Sequence, residues 1–157
     1  MRASDEHYMS LAVEEAAHAR GRGDMPFGAV IVDETSGTVV ARAHSTELTE
    51  SDVTAHAELK AIRDASSKLS RLELQGITLF ATAEPCAMCA SAIFHAKIDR
   101  VVIASTREDL PFKFRPRKIR FSQLADDCGY EVDVVTGVLG QHVPKLFEGA
   151  RPGVKAA

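Results

Sequence analysis

No stretch of this 157-residue chain approaches the run of about 20 apolar residues that a membrane-spanning helix needs. The opening residues, MRASDEHYMS, lack the apolar core of a secretion signal. Cysteine is scarce and odd in number: there are three, two of them only three positions apart. That count argues against a disulfide framework and for a reducing, cytoplasmic setting. A strong charge of one sign is also missing, and a net charge of -3 does not suit the chain as a whole to a polyanion. No internal repeat, low-complexity tract or linker-like stretch marks a boundary. Residues 1–157 therefore read as one domain, long enough to bury a core of its own.

What is present is a regular alternation of apolar patterns. Residues 5–20 have helical spacing, with Tyr8, Leu11, Ala12 and the Glu14/Glu15 pair, and GRGD ends the pattern. PFGAVIVDE and TVVARAH, separated by TSG, predict an antiparallel hairpin over 27–43. After the polar loop STELTESDV, a helix is expected from about Thr54 to Lys68, with Ala55, Leu59 and Ile62 on one side. GITLFATA reads as a buried strand, CAMCASAIFHA as a buried helix after Pro85, RVVIAS as another buried strand and YEVDVVTG as the last strand. FSQLADD suggests a short helix, and VLGQHVPKLFEG a closing helix bent at Pro144. Strands alternating with helices imply parallel pairing with helices on both faces. The expected fold is α/β, a three-layer α/β/α sandwich on a mixed five-stranded sheet, with the hairpin adding one antiparallel strand at an edge.

Two short stretches carry the chemistry, TAHAEL and AEPCAMCA. Cysteines at i and i+3 put both sulfurs on one side of a helix's first turn, where the partial positive charge favours thiolate. Pro85 suits the entry to that turn. A thiolate pair calls for a cation, and zinc is the usual one. Cys86 and Cys89 fill half a tetrahedron, and His56, opening another helix after a polar loop, is the natural third ligand. Three protein ligands leave one position for a water or hydroxide, the pattern of a catalytic zinc. Glu58, two residues on, can reach past the helix end as a proton carrier.

Each residue alone has a plainer reading. A Cys-x-x-Cys can be a redox pair, a helical His or Glu can be a solvated face, and Cys128 as a fourth ligand would close a structural zinc site. Cys128, in DDCGY, otherwise reads as a buried or half-buried thiol near a helix end. The joint pattern of His-x-Glu with Pro-Cys-x-x-Cys is far more specific and is the signature of zinc deaminases.

With these residues and the longer stretches PFGAVIV, TAHAELKAIRDA, TLFATAEPCAMCASAI and DRVVIAS, the chain resembles the cytidine deaminase superfamily over residues 5 to 105. The resemblance is to the branch of guanine deaminases, tRNA adenosine deaminases and fungal-type cytosine deaminases. It implies one Zn²⁺ per chain on His56, Cys86 and Cys89, with a bound water or hydroxide, and Glu58 as the proton shuttle in attack on the ring carbon that bears an amino group. It implies that backbone groups of Ala57, Ala83 and Glu84 line the substrate. Phe27 would be an apolar wall for the base, its plainer reading being core. It also implies a homodimer.

Ser45 departs from that branch, which places Asn after the second strand to read the base. A hydroxyl lacks the paired donor and acceptor of an amide, although Ser45 also suits a simple loop turn. PFKFRPRKIRF, residues 111–121, adds Lys113, Arg115, Arg117, Lys118 and Arg120, and taking those five out of the net -3 leaves -8 for the remainder. With Phe112, Phe114 and Phe121 interleaved, the segment could track a nucleic-acid strand or hold a phosphate; equally, the rings could pack down and the charges face water.

The leading expectation is hydrolytic deamination of a nucleobase or related ring, with guanine going to xanthine and ammonia. The alternatives are tRNA adenosine deamination, deamination of cytosine or a nucleoside, and an inactive zinc-stabilised interaction protein. The acidic remainder and the weakly basic C-terminus disfavour nucleic acid, and the basic segment favours it.

Overall fold

The computed structural model describes residues 1–110 and 118–150, so most of the basic segment and the end of the C-terminus lie outside the described residues. The helices are α1 (Asp5–Gly21), α2 (Glu47–Glu50), α3 (Ala57–Leu69), α4 (Ala87–His95), α5 (Phe121–Asp127) and α6 (Val143–Leu146). The strands are β1 (Gly28–Asp33), β2 (Thr38–His44), β3 (Ile77–Ala83), β4 (Arg100–Ser105) and β5 (Asp133–Thr136), in the order β2-β1-β3-β4-β5. Strand alternation divides the core in two. Ala29, Ile31, Leu79, Val101 and Ile103 face one layer with α3, α4 and Phe121. Val30, Val32, Phe80, Val102 and Ala104 face the other, with Met9 and Ala12 of α1 and Val143 and Phe147 near the C-terminal end. The three-layer sandwich follows from those two apolar faces.

The sheet differs from expectation in one respect. β1 is antiparallel to both β2 and β3, while β3, β4 and β5 are parallel. The single reversed strand is therefore β1, second from the edge, and not an edge strand. The chain leaves edge strand β2, passes through α3 and returns as β3 on the far side of β1. A tight hairpin can only pair its own two strands, so the crossover, not the hairpin, fixes where β1 lies.

α1 sits very close to β1. A side chain at Gly28 would place its Cβ 2.0 Å from the Ala12 carbonyl oxygen and 2.6 Å from the Ala16 nitrogen. Small residues on the buried side of α1, Ala12, Ala16 and Ala19, permit that approach.

The polar loop before α3 contains α2, a turn of helix that the sequence pattern gave no sign of. Its first turn is capped from a distant part of the chain. Buried Asp24 accepts the Leu48 and Thr49 backbone N–H groups at 2.8 and 3.1 Å and the Thr49 hydroxyl at 2.7 Å. α3 starts at Ala57 with His56 in the N-cap position and buries Ala57, Glu58, Ala61, Ile62 and Ala65, leaving Leu59 half-buried. The closing helix is broken into a 3₁₀ turn, Gly140–His142, and the short α6 with Pro144 in its first turn.

At the end of the sheet away from α3 and α4's first turns, Arg100 is 4% exposed and pairs with three carboxylates. Its distances are 2.9 Å to Asp5, 3.3 Å to Glu34 and 3.1 Å to Asp133. Among the described residues no helix is long and apolar enough to cross a membrane.

Candidate metal centre

α3 and α4 begin beside each other at the carboxyl end of β3. His56 caps α3 and Cys86 caps α4, both with extended backbone (ψ 148° and 170°), which swings their side chains beyond the first turn. His56 Nδ1 lies 3.6 Å from Cys86 Sγ and 3.5 Å from Cys89 Sγ, and the two sulfurs are 3.6 Å apart. A tetrahedron with zinc–sulfur bonds of about 2.3 Å and a zinc–nitrogen bond of about 2.0 Å has edges of about 3.8 Å between sulfurs and about 3.5 Å between sulfur and nitrogen. The three atoms therefore have the spacing of one zinc coordination face. Cys128 does not join this group. It is exposed at the C-terminal cap of α5, not buried as expected, because α5 is a surface helix whose inward face ends at Ala125.

The electrostatics fit a cation. The hydrogen-bond contact between the two sulfurs, and then the one with His56, pulls the Cys86 thiol down to about 3, against its burial. The same contact and burial push the Cys89 thiol up. A divalent ion on this face would draw the proton from both thiols. His56 is raised to about 9, chiefly by its hydrogen bond with Cys86 and then by Glu58 and Glu47.

Glu58 is buried, and burial pushes its carboxyl up from the usual carboxylate range; its own backbone amide and Cys89 hold it in place. Glu47 completes the surroundings. Its Oε1 lies 3.3 Å from His56 Nε2, the ring nitrogen facing away from the sulfurs, and its Oε2 accepts the Ser45 hydroxyl at 3.4 Å. A carboxylate on the outer nitrogen fixes both the ring orientation and the tautomer that leaves Nδ1 for a metal.

Ser45 is fully buried, and its N–H donates to the Phe27 carbonyl at 3.0 Å. Phe27 packs against both core clusters and meets Phe147 edge to face with centroids 5.3 Å apart. Ala57 and Ala83 are buried where α3 begins and β3 ends. Glu84 turns its side chain toward Arg107, Arg120 and Phe121, and its N–H donates to the Ser105 carbonyl at 3.0 Å.

A cavity of about 620 Å³ opens at His56 and Cys86. Met88, Arg107, Lys118 and Ile119 line it as well. Lys118 belongs to the basic segment singled out from the sequence; Met88, Arg107, Ile119 and Glu47 were not named there as site residues. Met88, between the two cysteines, was the most accessible to such reasoning. Arg107 and Glu47 lie in stretches that carry no motif, and Ile119 lies within the basic segment.

The family model described as the cytidine and deoxycytidylate deaminase zinc-binding region matches residues 2–105. A tRNA-specific adenosine deaminase of Bacillus subtilis is 42% identical over 101 residues, which is 64% of this chain and 62% of that relative. A structure from a study of A-to-I editing by tRNA:A34 deaminases is 33% identical, with TM-score 0.77 over 89% of this chain and 98% of that one. A guanine deaminase from Nitrosomonas europaea is 25% identical, with TM-score 0.81 over 92% of this chain and 83% of that one. The matched family region contains His56, Glu58, Cys86 and Cys89, and the chain belongs to the cytidine deaminase superfamily of zinc-dependent deaminases.

Proposed function

We propose that the protein deaminates adenosine to inosine in a tRNA anticodon, rather than guanine as the sequence first suggested. The observation that carries this reading is the cavity lining. Arg107 and Lys118 stand beside His56 and Cys86, and Ile119, 57% exposed, offers an apolar surface at the same opening. A free base needs no cation outside its pocket, whereas a nucleotide in an RNA strand brings phosphates with it. The relatives and the tRNA:A34 deaminase structure support the same choice.

In this reading His56, Cys86 and Cys89 hold zinc, which when bound supplies Lewis acidity toward water. Adenosine and water give inosine and ammonia: a C6–O bond forms and the C6–N bond to the amino group breaks. Glu58 takes a proton at its carboxylate, delivers it to ring N1 and carries a second to the departing amine. Burial suits it to this task, because a carboxyl raised from its usual range holds a proton more readily and can return it. Glu47 holds the His56 ring.

The test is to incubate zinc-loaded protein with an anticodon stem-loop bearing adenosine at the wobble position, and separately with guanine, adenosine and cytosine. Inosine in the stem-loop, with a rate that falls steeply as salt rises, is the expected result. Xanthine from guanine without stem-loop turnover would sink this reading in favour of a guanine deaminase, the alternative to which the Nitrosomonas europaea structure lends support.

A further inference from the structure

Glu84 sits just before Pro85 and α4, yet its carboxylate takes no part in the chemistry above. Its side chain is 8% exposed. Oε2 accepts the Arg107 backbone N–H at 3.0 Å and Arg120 Nη1 at 3.2 Å, and Oε1 accepts the Phe121 backbone N–H at 3.0 Å. One donor precedes the basic segment and two stand at its C-terminal end, so one acid ties both ends of that segment to the strand end that leads into the metal-side helix. The anchored residues continue into the cavity wall. Arg107 lines it directly, Lys118 and Ile119 immediately precede Arg120, and Leu124 follows on α5. The Phe121 ring, buried against Phe94 of α4 at a centroid distance of 5.4 Å, holds the same junction from its apolar side.

We propose that Glu84 is a positioning residue for substrate: its carboxylate sets the Arg107, Lys118 and Ile119 wall at the distance from His56 and Cys86 that admits a phosphate-bearing nucleotide. The proposal rests on the RNA reading above. Glutamine cannot stand in for it. An amide offers one acceptor oxygen, and its NH₂ would face a guanidinium or a backbone N–H with nothing to accept. A purely structural staple would lower stability without changing how the folded enzyme meets its substrate.

Zinc-loaded wild type and Glu84→Gln are compared on the anticodon stem-loop with wobble adenosine, alongside zinc content and amide hydrogen exchange. KM rises about tenfold or more, kcat stays within about twofold and zinc per chain is unchanged, as expected when an interaction formed equally in ground and transition states is lost. Arg120→Gln raises KM less, and the double variant is no worse than Glu84→Gln alone, because both act through one contact. An unchanged KM, a loss confined to kcat or a loss of zinc overturns the proposal. If Glu84→Gln does not fold, Arg120→Gln decides by the same KM criterion. If the wild type makes no inosine, the RNA reading fails by itself, and the Arg107 and Phe121 amides decide the anchor: faster exchange in Glu84→Gln upholds it, and unchanged exchange refutes it.

Discussion

Among the described residues two trios of metal-binding residue types come together, and one of the two is arranged for a metal. His56, Cys86 and Cys89 bring three donor atoms to 3.5–3.6 Å of one another at two helix starts. Glu15, His18 and His44 also form a group whose donor atoms could face one ion. There, however, Glu15 Oε2 is 2.8 Å from His44 Nδ1 and 3.8 Å from His18 Nδ1, while Oε1 accepts Arg42 Nε at 2.9 Å. The carboxylate is already satisfied by a guanidinium, and a second cation would meet the first. The same side-chain types give a metal face where thiolates accumulate negative charge, and an ion-pair cluster where an arginine has neutralised it.

The largest effect that tests this contrast is on metal content. Cys86→Ser or His56→Ala should leave almost no zinc after dialysis against a chelator, whereas His18→Ala should retain one zinc per chain; elemental analysis reads both. Equal losses from the two trios would erase the distinction. Next comes Glu47→Ala, which frees the outer nitrogen of His56. Zinc affinity should fall about 10- to 100-fold in chelator competition, with Glu47→Gln recovering part of it. Glu15→Gln should cost about 1–3 kcal/mol in denaturant unfolding, because Arg42 and His44 lose their shared acceptor, and zinc content should not change.

The pH response of Glu15 follows from opposing causes. Burial pushes its carboxyl up, but the hydrogen bonds from His44 and Arg42 outweigh that and hold it below the usual range. A lowered folded-state value stabilises the protein above the ordinary glutamate value of about 4.3 and loses that contribution as pH falls through the folded value. Melting temperature should therefore drop on acidification below about pH 4, less steeply in Glu15→Gln than in the wild type. The smallest effect should come from exposed Cys128: Cys128→Ser should alter neither zinc content nor melting temperature.

Local pattern revealed the three donor atoms because each sits within a residue or two of a helix start, and helix starts are written in short range. His56 after a polar loop and Cys86 after Pro85 are such signals. The layer structure was legible for the same reason, since β1, β3 and β4 are apolar on both faces. What depended on distant pairing was not legible. The position of β1 between β2 and β3 is set by a crossover. α2 forms because Asp24, across the chain, caps it, and only then does Glu47 reach His56. Glu84 binds the Arg107 and Phe121 backbone N–H groups and the Arg120 side chain, partners that its sequence neighbours gave no hint of. Cys128 was misjudged because burial depends on what covers a helix end, which its flanking residues do not encode.

The Arg100 cluster and the helix starts stand at opposite ends of the same strands, β3 running from Thr78 near one to Ala83 near the other. Fold cohesion and ligand choice are thus physically segregated along about seven residues of sheet, roughly 20 Å. Exchanging the 107–120 stretch for that of a differently selective deaminase, with Glu84, Leu110 and Arg120 retained, should yield a chimaera that still folds, since Asp5, Glu34, Arg100 and Asp133 all lie outside the transplanted piece.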